Sequence, residues 1–125
     1  MIDEFEKRIQ ELSSFPEKYA LANAFDGQIS ALIGTHTHVQ TRDYRILNKG
    51  TAYMSDVGMC GPYDSILGVN KEDVVTRTWT GAPTVFNIKE DGEGVFSACL
   101  LSFDDKTFAC TGIKPIYKIL DEEEY

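Results

Sequence analysis

Both histidines of the 125-residue chain lie two residues apart, as His36 and His38. They follow a short apolar run, Ile29-Ser30-Ala31-Leu32-Ile33, that reads as a buried strand. If the extended backbone continues, the two rings project from one face with Cα atoms about 7 Å apart. Imidazoles so placed can share a metal ion, bind one each of an adjacent pair, or serve only as hydrogen-bonded polar residues. Thr35 and Thr37 add hydroxyls and Gln40 an amide at a strand terminus, where open α/β sheets place ligands. This set suits a phosphate or cyclic-phosphate contact, with or without metal. It equally suits a loop held by its own hydrogen bonds.

Two further groups sit close by in sequence. Arg42 and Arg45 can each grip a phosphate through paired charge-assisted hydrogen bonds. Their plainer fate is a surface ion pair, for instance with Asp43. The run Gly58-Met59-Cys60-Gly61-Pro62-Tyr63-Asp64-Ser65 combines glycines that let backbone N–H groups approach a phosphate with a ring, Tyr63, that can stack on a base. Asp64 and Ser65 can bond ribose hydroxyls. Cys60 has no base beside it in sequence and reads as a small packed thiol. Asp56 either orients an imidazole or merely ends a strand.

The elements that must position these groups follow from periodicity. Ile2, Phe5, Ile9 and Leu12 predict an amphipathic helix over residues 3–13. Ser14 and Glu17 form a capping box for a second helix, with Pro16 in its first turn. That helix runs to Phe25, buries Tyr19, Leu21, Ala24 or Phe25, and ends at Asp26-Gly27. Tyr44–Leu47 and Thr51–Ser55 flank a hairpin turn at Asn48-Lys49-Gly50. Asn70 starts a short helix carrying Val74, Val75 and Trp79, which Gly81-Ala82-Pro83 stops. Strand patterns follow at Thr84–Lys89, Gly94–Phe103 and Phe108–Leu120, with turns at residues 90–92 and 104–106. The fold class expected is α/β: a mixed sheet with the N-terminal helices on one side and a C-terminal antiparallel meander. Tyr53, Trp79, Phe86, Phe96, Phe103, Phe108 and Tyr117 are expected in the core, because no basic residues interleave them as on a nucleic-acid platform.

Length sets one domain, residues 1–125, large enough for a core. It divides into an added helix at 1–13, a main region at 14–120 and an acidic tail at 121–125. Against 12 lysines and arginines stand 20 aspartates and glutamates, a net charge of −8, which argues against a nucleic-acid polymer as partner. An anionic ligand must therefore meet a local positive feature. Three cysteines without metal-ligand spacing read as reduced thiols in the cytoplasm. No apolar run is long enough to span a membrane, and none reads as a signal peptide.

The string Gly34-Thr35-His36-Thr37-His38-Val39-Gln40-Thr41, then Arg45-Ile46-Leu47, Gly50-Thr51-Ala52-Tyr53 and Asp56-Val57-Gly58-Met59 through Gly61-Pro62-Tyr63-Asp64-Ser65 to Gly68, resembles the YmdB-like family of calcineurin-type metallophosphoesterases, which act on cyclic nucleotides. The likeness covers Ser14 to Ile119. It implies the second half of a two-layer sandwich, and only the last two metal-site histidines of the family have counterparts, His36 and His38. The family's early Asp, Glu and Asn ligands and its first His would lie on an N-terminal half. Residues 6–12 replace the D-x-H segment that usually precedes the helix of Glu17-Lys18. Arg42-Asp43-Tyr44-Arg45 departs from an Asp-Glu-Arg-like pattern by adding positive charge and a ring. Cys60 stands where Thr is usual.

On this reading the first expectation is a truncated relative that binds a nucleotide-like or cyclic-nucleotide signal and sequesters it uncleaved, a role that would suit a phage countering host defence. The expected ligand-binding residues are Thr35, His36, Thr37, His38, Gln40, Arg42, Arg45, Gly58, Met59, Gly61, Tyr63, Asp64 and Ser65. No residue is assigned a catalytic role, and a binding module needs no cofactor. The alternative is a metal-dependent phosphodiesterase or phosphatase of cyclic nucleotides, using manganese, iron or magnesium on His36 and His38. Its site would be completed by another chain, or the chain would be a fragment of a longer enzyme. A third possibility is a remnant that only assembles. The capped first helix suggests that Met1 is a natural start. A halved sandwich exposes an edge or a face, so a homo-oligomer is expected.

Overall fold

The strand that carries the histidines into place, β1 (Ala31–Ile33), pairs in parallel with β3 (Ala52–Met54), putting Ile33 beside Met54. On the other side of β3 lies the antiparallel β2 (Arg45–Ile46), so the first sheet has the order β1-β3-β2. The β2–β3 turn is the expected hairpin: Gly50 N–H donates to Leu47 O at 3.0 Å, and Leu47 N–H to Thr51 O at 2.8 Å. This computed structural model describes residues 15–121 and 123. The predicted helix over 3–13, the Ser14 cap and most of the acidic tail lie outside the described residues.

Helix α1 (Phe15–Ala24) covers the first sheet. Ala22 and the half-buried Tyr19, three residues apart and so on one helix face, pack with Leu32, Leu47 and Tyr53 to form the core. Tyr19 and Tyr53 rings tilt against each other at 5.1 Å between centroids. The expectation for Ala24 is corrected: it is exposed, and Ala22 is the alanine that the sheet covers. Asp26 ends the helix and also fixes the hairpin, accepting hydrogen bonds from the Lys49 N–H at 2.9 Å and the Thr51 N–H at 3.3 Å.

The second sheet is the antiparallel order β4-β5-β6, built from Gly61–Pro62, Gly94–Phe103 and Cys110–Leu120. The long β5–β6 ladder is the predicted meander, and the Cys110 N–H joins it to the hairpin by donating to Gly50 O at 2.8 Å. Its first strand differs from expectation. Residues 84–89 form no strand; Ile88 makes one isolated bridge to Val69, and the short β4 inside the glycine-rich loop takes the edge. The reason is local competition: the backbone N–H and side-chain amide of Asn87 both donate to Asp73 Oδ2, at 2.9 and 3.0 Å.

Helix α2 (Lys71–Thr80) carries that Asp73 and buries none of its residues. Asn70 is its N-cap by position without a side-chain capping bond, and Gly81 closes it in the left-handed conformation. The aromatic expectation holds for Tyr53 alone. Trp79, Phe86, Phe96, Phe103, Phe108 and Tyr117 are exposed, Trp79 at 89%. Phe96 and Leu100 share one face of β5 with their β6 partners Lys118 and Lys114, and all four side chains are exposed. Among the described residues a second layer covers only the opposite face, where Val95 and Ser97 are buried.

Candidate functional site

The histidine loop leaves β1 through Gly34, whose N–H donates to Met54 O at 2.8 Å and whose carbonyl accepts from the Val57 N–H at 2.9 Å. A side chain at this position would put its Cβ 2.0 Å from the Ser55 carbonyl oxygen, so only glycine lets the ends of β1 and β3 lie this close. The backbone then turns sharply. His36 has φ 147° and His38 φ 66°, both in the region that L-residues rarely adopt. Such positions cost on the order of 1–3 kcal/mol each and persist where the surroundings enforce them.

Asp56 enforces them. It is 1% exposed, and its carboxylate accepts from the Thr37 N–H at 2.6 Å, the Thr37 hydroxyl at 2.8 Å and the Gly58 N–H at 2.9 Å. Burial alone would raise its pKa. The hydrogen bonds from Thr37 and Gly58, with the positive charge of Lys18, outweigh burial and hold the carboxyl below its ordinary value. Asp56 therefore neither touches an imidazole nor merely ends a strand: it clamps the residue between the two histidines. Lys18, from α1, adds a second clamp by donating to Thr35 O at 3.0 Å and Ser55 O at 3.2 Å.

The rings are left available. His36, Thr37 and His38 are exposed. His38 Nδ1 lies 3.1 Å from Leu67 O. A carbonyl only accepts, so Nδ1 is the donor there and Nε2 is the nitrogen left for another partner, the arrangement seen in metal-ligating imidazoles. Among the described residues His36 has no hydrogen-bond partner on its ring, and no cluster of three or more His, Cys, Asp or Glu gathers anywhere. Two neutral imidazoles fit part of a divalent-metal donor set and do not complete one.

Beside His38 opens a cavity of about 460 Å³ lined by Gln40, Arg42, Met59, Tyr63, Ser65 and Leu67, with Val95, Ser97 and Tyr117 as the β5–β6 wall. Thus His38, Gln40, Arg42, Met59, Tyr63 and Ser65 converge as the sequence placed them. The other expected residues do not line this cavity. Thr35 and His36 lie exposed on the loop, and Thr37 is held by Asp56. Gly58, at φ 88°, supports the loop from below: a Cβ there would lie 2.9 Å from the Gln40 nitrogen. Gly61 belongs to β4, Asp64 is paired with Lys71 at 2.6 Å, and Arg45 faces a different cavity. Ser65 is engaged within its own turn, donating to Pro62 O at 2.7 Å and accepting from the Gly68 N–H at 2.9 Å. Cys60, just before the short edge strand β4, is exposed rather than packed, and its sulfur donates to Ser97 O of β5 at 3.4 Å.

Gln40 has an unforeseen role. Its amide nitrogen lies 3.2 Å from Val57 O, 3.3 Å from Ala98 O and 2.9 Å from Ile116 O, so one side chain ties the histidine loop to both strands of the meander. Gln40→Glu is expected to be worse than Gln40→Ala. Alanine loses the bonds, about 2 kcal/mol in all, whereas a carboxylate facing three carbonyls cannot donate. Urea denaturation at neutral pH will rank wild type above Gln40→Ala above Gln40→Glu, and acidification will narrow the gap between the two variants as the glutamate protonates.

The lining residues from the meander, and Lys18 and Asp43, were not legible as site residues, and Asp56 reads in the sequence only as a partner of an imidazole or a strand end. Their only signal was type and position: an Asp shortly after a strand, a Lys on a helix. What gives them roles is contact across 17 or more positions of chain for Lys18 and 19 for Asp56.

A 2′,3′-cyclic-nucleotide 2′-phosphodiesterase of Bacillus subtilis (strain 168) is 49% identical over 100 residues, which span 80% of this chain and 38% of that protein. A crystal structure of a hypothetical protein from Thermus thermophilus superposes with a TM-score of 0.77 at 42% identity, covering 84% of this chain and 40% of that one. A structure described as a novel phosphatase from Mycoplasma pneumoniae gives 0.76 at 35% identity, covering 88% and 39%. The chain thus spans about two fifths of the length of these relatives. Those of them whose names state an activity are a phosphodiesterase and a phosphatase, which favours the enzyme-segment expectation over binding without cleavage. The family model of YmdB-like proteins matches residues 12–116, nearly the extent of the resemblance in the sequence, and the chain belongs to that family.

Proposed function

We propose that this chain forms the ligand-side part of a metal-dependent phosphodiesterase site for cyclic nucleotides, with the remaining metal ligands supplied by residues outside it. One observation carries the reading: two adjacent-but-one histidines are held at positive φ by a buried, ionised Asp56, with His38 lining the cavity and its Nδ1 engaged by Leu67 O. Leu67 and Phe108 also have positive φ, but only at His36 and His38 does one buried carboxylate hold two potential ligands in that conformation, the kind of strain found at ligand sites. His36 and His38 are the residues that would hold a divalent ion, which supplies Lewis-acid polarisation of a phosphoryl oxygen when bound. The chain's own groups do the rest of the positioning. Arg42 neutralises and orients a phosphate in the cavity, Tyr63 and Met59 offer apolar walls for a base, and the Leu67 carbonyl fixes the His38 tautomer.

The test is NMR of the chain titrated with Mn²⁺ and then with 2′,3′-cyclic AMP. Both histidine rings are expected to broaden selectively with Mn²⁺, in wild type but in neither His36→Ala nor His38→Ala. The Met59 methyl and Tyr63 ring signals are expected to shift with the nucleotide. Broadening spread over the acidic surface, or a nucleotide that leaves Met59 and Tyr63 unmoved at millimolar concentration, sinks the reading.

A further inference from the structure

A second cavity of about 380 Å³ lies behind the histidine loop, lined by Tyr19, Arg42, Asp43, Tyr44, Arg45 and Tyr53. It shares only Arg42 with the first. Three of its features go together. Asp43, the acid that adjacent sequence would pair with the arginines, is turned away from them: its carboxylate accepts from the Thr41 hydroxyl at 2.7 Å, the Ser55 N–H at 3.2 Å and the Ser55 hydroxyl. Neither Arg42 nor Arg45 has an ion-pair partner among the described residues, although the chain as a whole carries a charge of −8. Arg45 is instead held over the Tyr19 ring, 6.0 Å from its centroid, and donates to the Tyr19 hydroxyl at 2.8 Å. Finally, Tyr53 is 1% exposed, and its hydroxyl oxygen is buried with the Ser55 hydroxyl near it but no hydrogen bond of full geometry. The nearby Ser55 hydroxyl gives its proton to Asp43.

Two guanidinium groups without an ion-pair partner among the described residues, one pre-oriented on a ring, match an oxyanion. A buried phenol whose neighbouring Ser55 hydroxyl is already spent on Asp43 is a group that a ligand oxygen would satisfy. Three tyrosines around a space of this volume match a flat ring attached to that oxyanion. We propose that this cavity is a second ligand site, adjoining the histidine cavity through the shared Arg42, for a phosphate carried on a nucleoside, with the phosphate held chiefly by Arg45 and an oxygen on the Tyr53 hydroxyl.

The probe is adenosine 5′-monophosphate, titrated by calorimetry and NMR against the 125-residue chain, with adenosine and inorganic phosphate as separate arms. The nucleotide is expected to bind at least about tenfold more tightly than adenosine, a difference of one charge-assisted contact or more, and to shift the Tyr19 and Tyr53 rings. Arg45→Ala, at an exposed position, is expected to remove that difference, and Arg45→Lys to restore part of it. Tyr53→Phe deletes only that buried oxygen. It is expected to keep or raise Tm while weakening the nucleotide, a pairing of effects that a purely structural tyrosine would not give. His38→Ala is expected to leave this binding intact, which separates it from the metal-side reading. Equal affinities for the nucleotide and adenosine, indifference to Arg45→Ala, loss in His38→Ala, or a Tyr53→Phe protein that binds as wild type would each overturn the proposal. Phosphate binding as tightly as the nucleotide would overturn the part of it that assigns the tyrosines to a ring.

Discussion

Gly34→Ala is expected to remove most of the protein's stability, at least about 4 kcal/mol, a loss reserved for changes that the structure cannot absorb. The new Cβ would stand 2.0 Å from the Ser55 carbonyl oxygen and 2.9 Å from its carbon, with Lys18 Cδ at 3.2 Å. The lysine stem can swing aside. The carbonyl cannot, because the same stretch is locked to Gly34 on both sides, through Gly34 N–H to Met54 O and Val57 N–H to Gly34 O. The substitution must therefore prise β1 from β3 where the histidine loop begins, and the Tyr53 core lies on that sheet. Gly68→Ala is the matched control. Its φ of 95° strains any side chain, yet nothing lies within 4 Å of the added carbon, so the cost should stay near 1 kcal/mol. Urea midpoints of the two variants decide the matter. A Gly34→Ala protein as stable as Gly68→Ala would show that the two strand ends do not approach as described.

That glycine marks how far the sequence could be read. The apolar run ending at Ile33, the turn at 48–50 and the alternation through 94–103 are local patterns, and local patterns placed β1, the hairpin and β5. Glycines after helices placed the ends of α1 and α2. Readings failed where a segment's state depends on distant partners. Residues 84–89 alternate like a strand, but a strand needs a neighbour, and Asp73 takes the Asn87 N–H instead. The aromatic residues of β5, β6 and α2 have core-like patterns, yet burial requires a covering layer, and among the described residues that layer reaches only one face. In the site, residue types gave the histidines, Arg42 and Tyr63. They could not show that Arg45 turns to Tyr19, that Gln40 is spent on three carbonyls, or that Asp43 and Asp56 point inward. Each of those outcomes is decided by a donor or acceptor far along the chain.

The second large effect is expected at Asp56. Asp56→Ala takes the acceptor from the Thr37 N–H and the Gly58 N–H and one of two acceptors from the Thr37 hydroxyl, which keeps Val39 O at 3.2 Å; the lost carboxylate itself is 1% exposed. Each such group costs about 1–3 kcal/mol. Part is recovered as the loop relaxes, so a total of about 3–4 kcal/mol is expected. Asp56→Asn keeps one accepting oxygen and should lose roughly half as much. The pH dependence gives the sharper test. The folded-state pKa of Asp56 lies below its ordinary value of 3.8, so its contribution is fully present above that value and is lost as pH falls through the folded-state pKa. Asp43 is shifted the same way: burial opposes its charge, and the Ser55 and Thr41 hydroxyls prevail. Wild type should therefore lose stability in acid with Asp56 contributing alongside Asp43, Asp26, Asp91 and Asp104, whose carboxyls are lowered too, and Asp56→Ala without the Asp56 share. The gap between the two should shrink as pH is taken from about 7 to about 3. A gap independent of pH would mean that Asp56 acts by packing and not by charge. The same variant bears on function, because relaxing Thr37 frees His36 and His38 from positive φ. Selective broadening of their rings by Mn²⁺ should weaken in Asp56→Ala with both imidazoles present, which would place the clamp, and not the ring count, in control of how well this loop holds an ion.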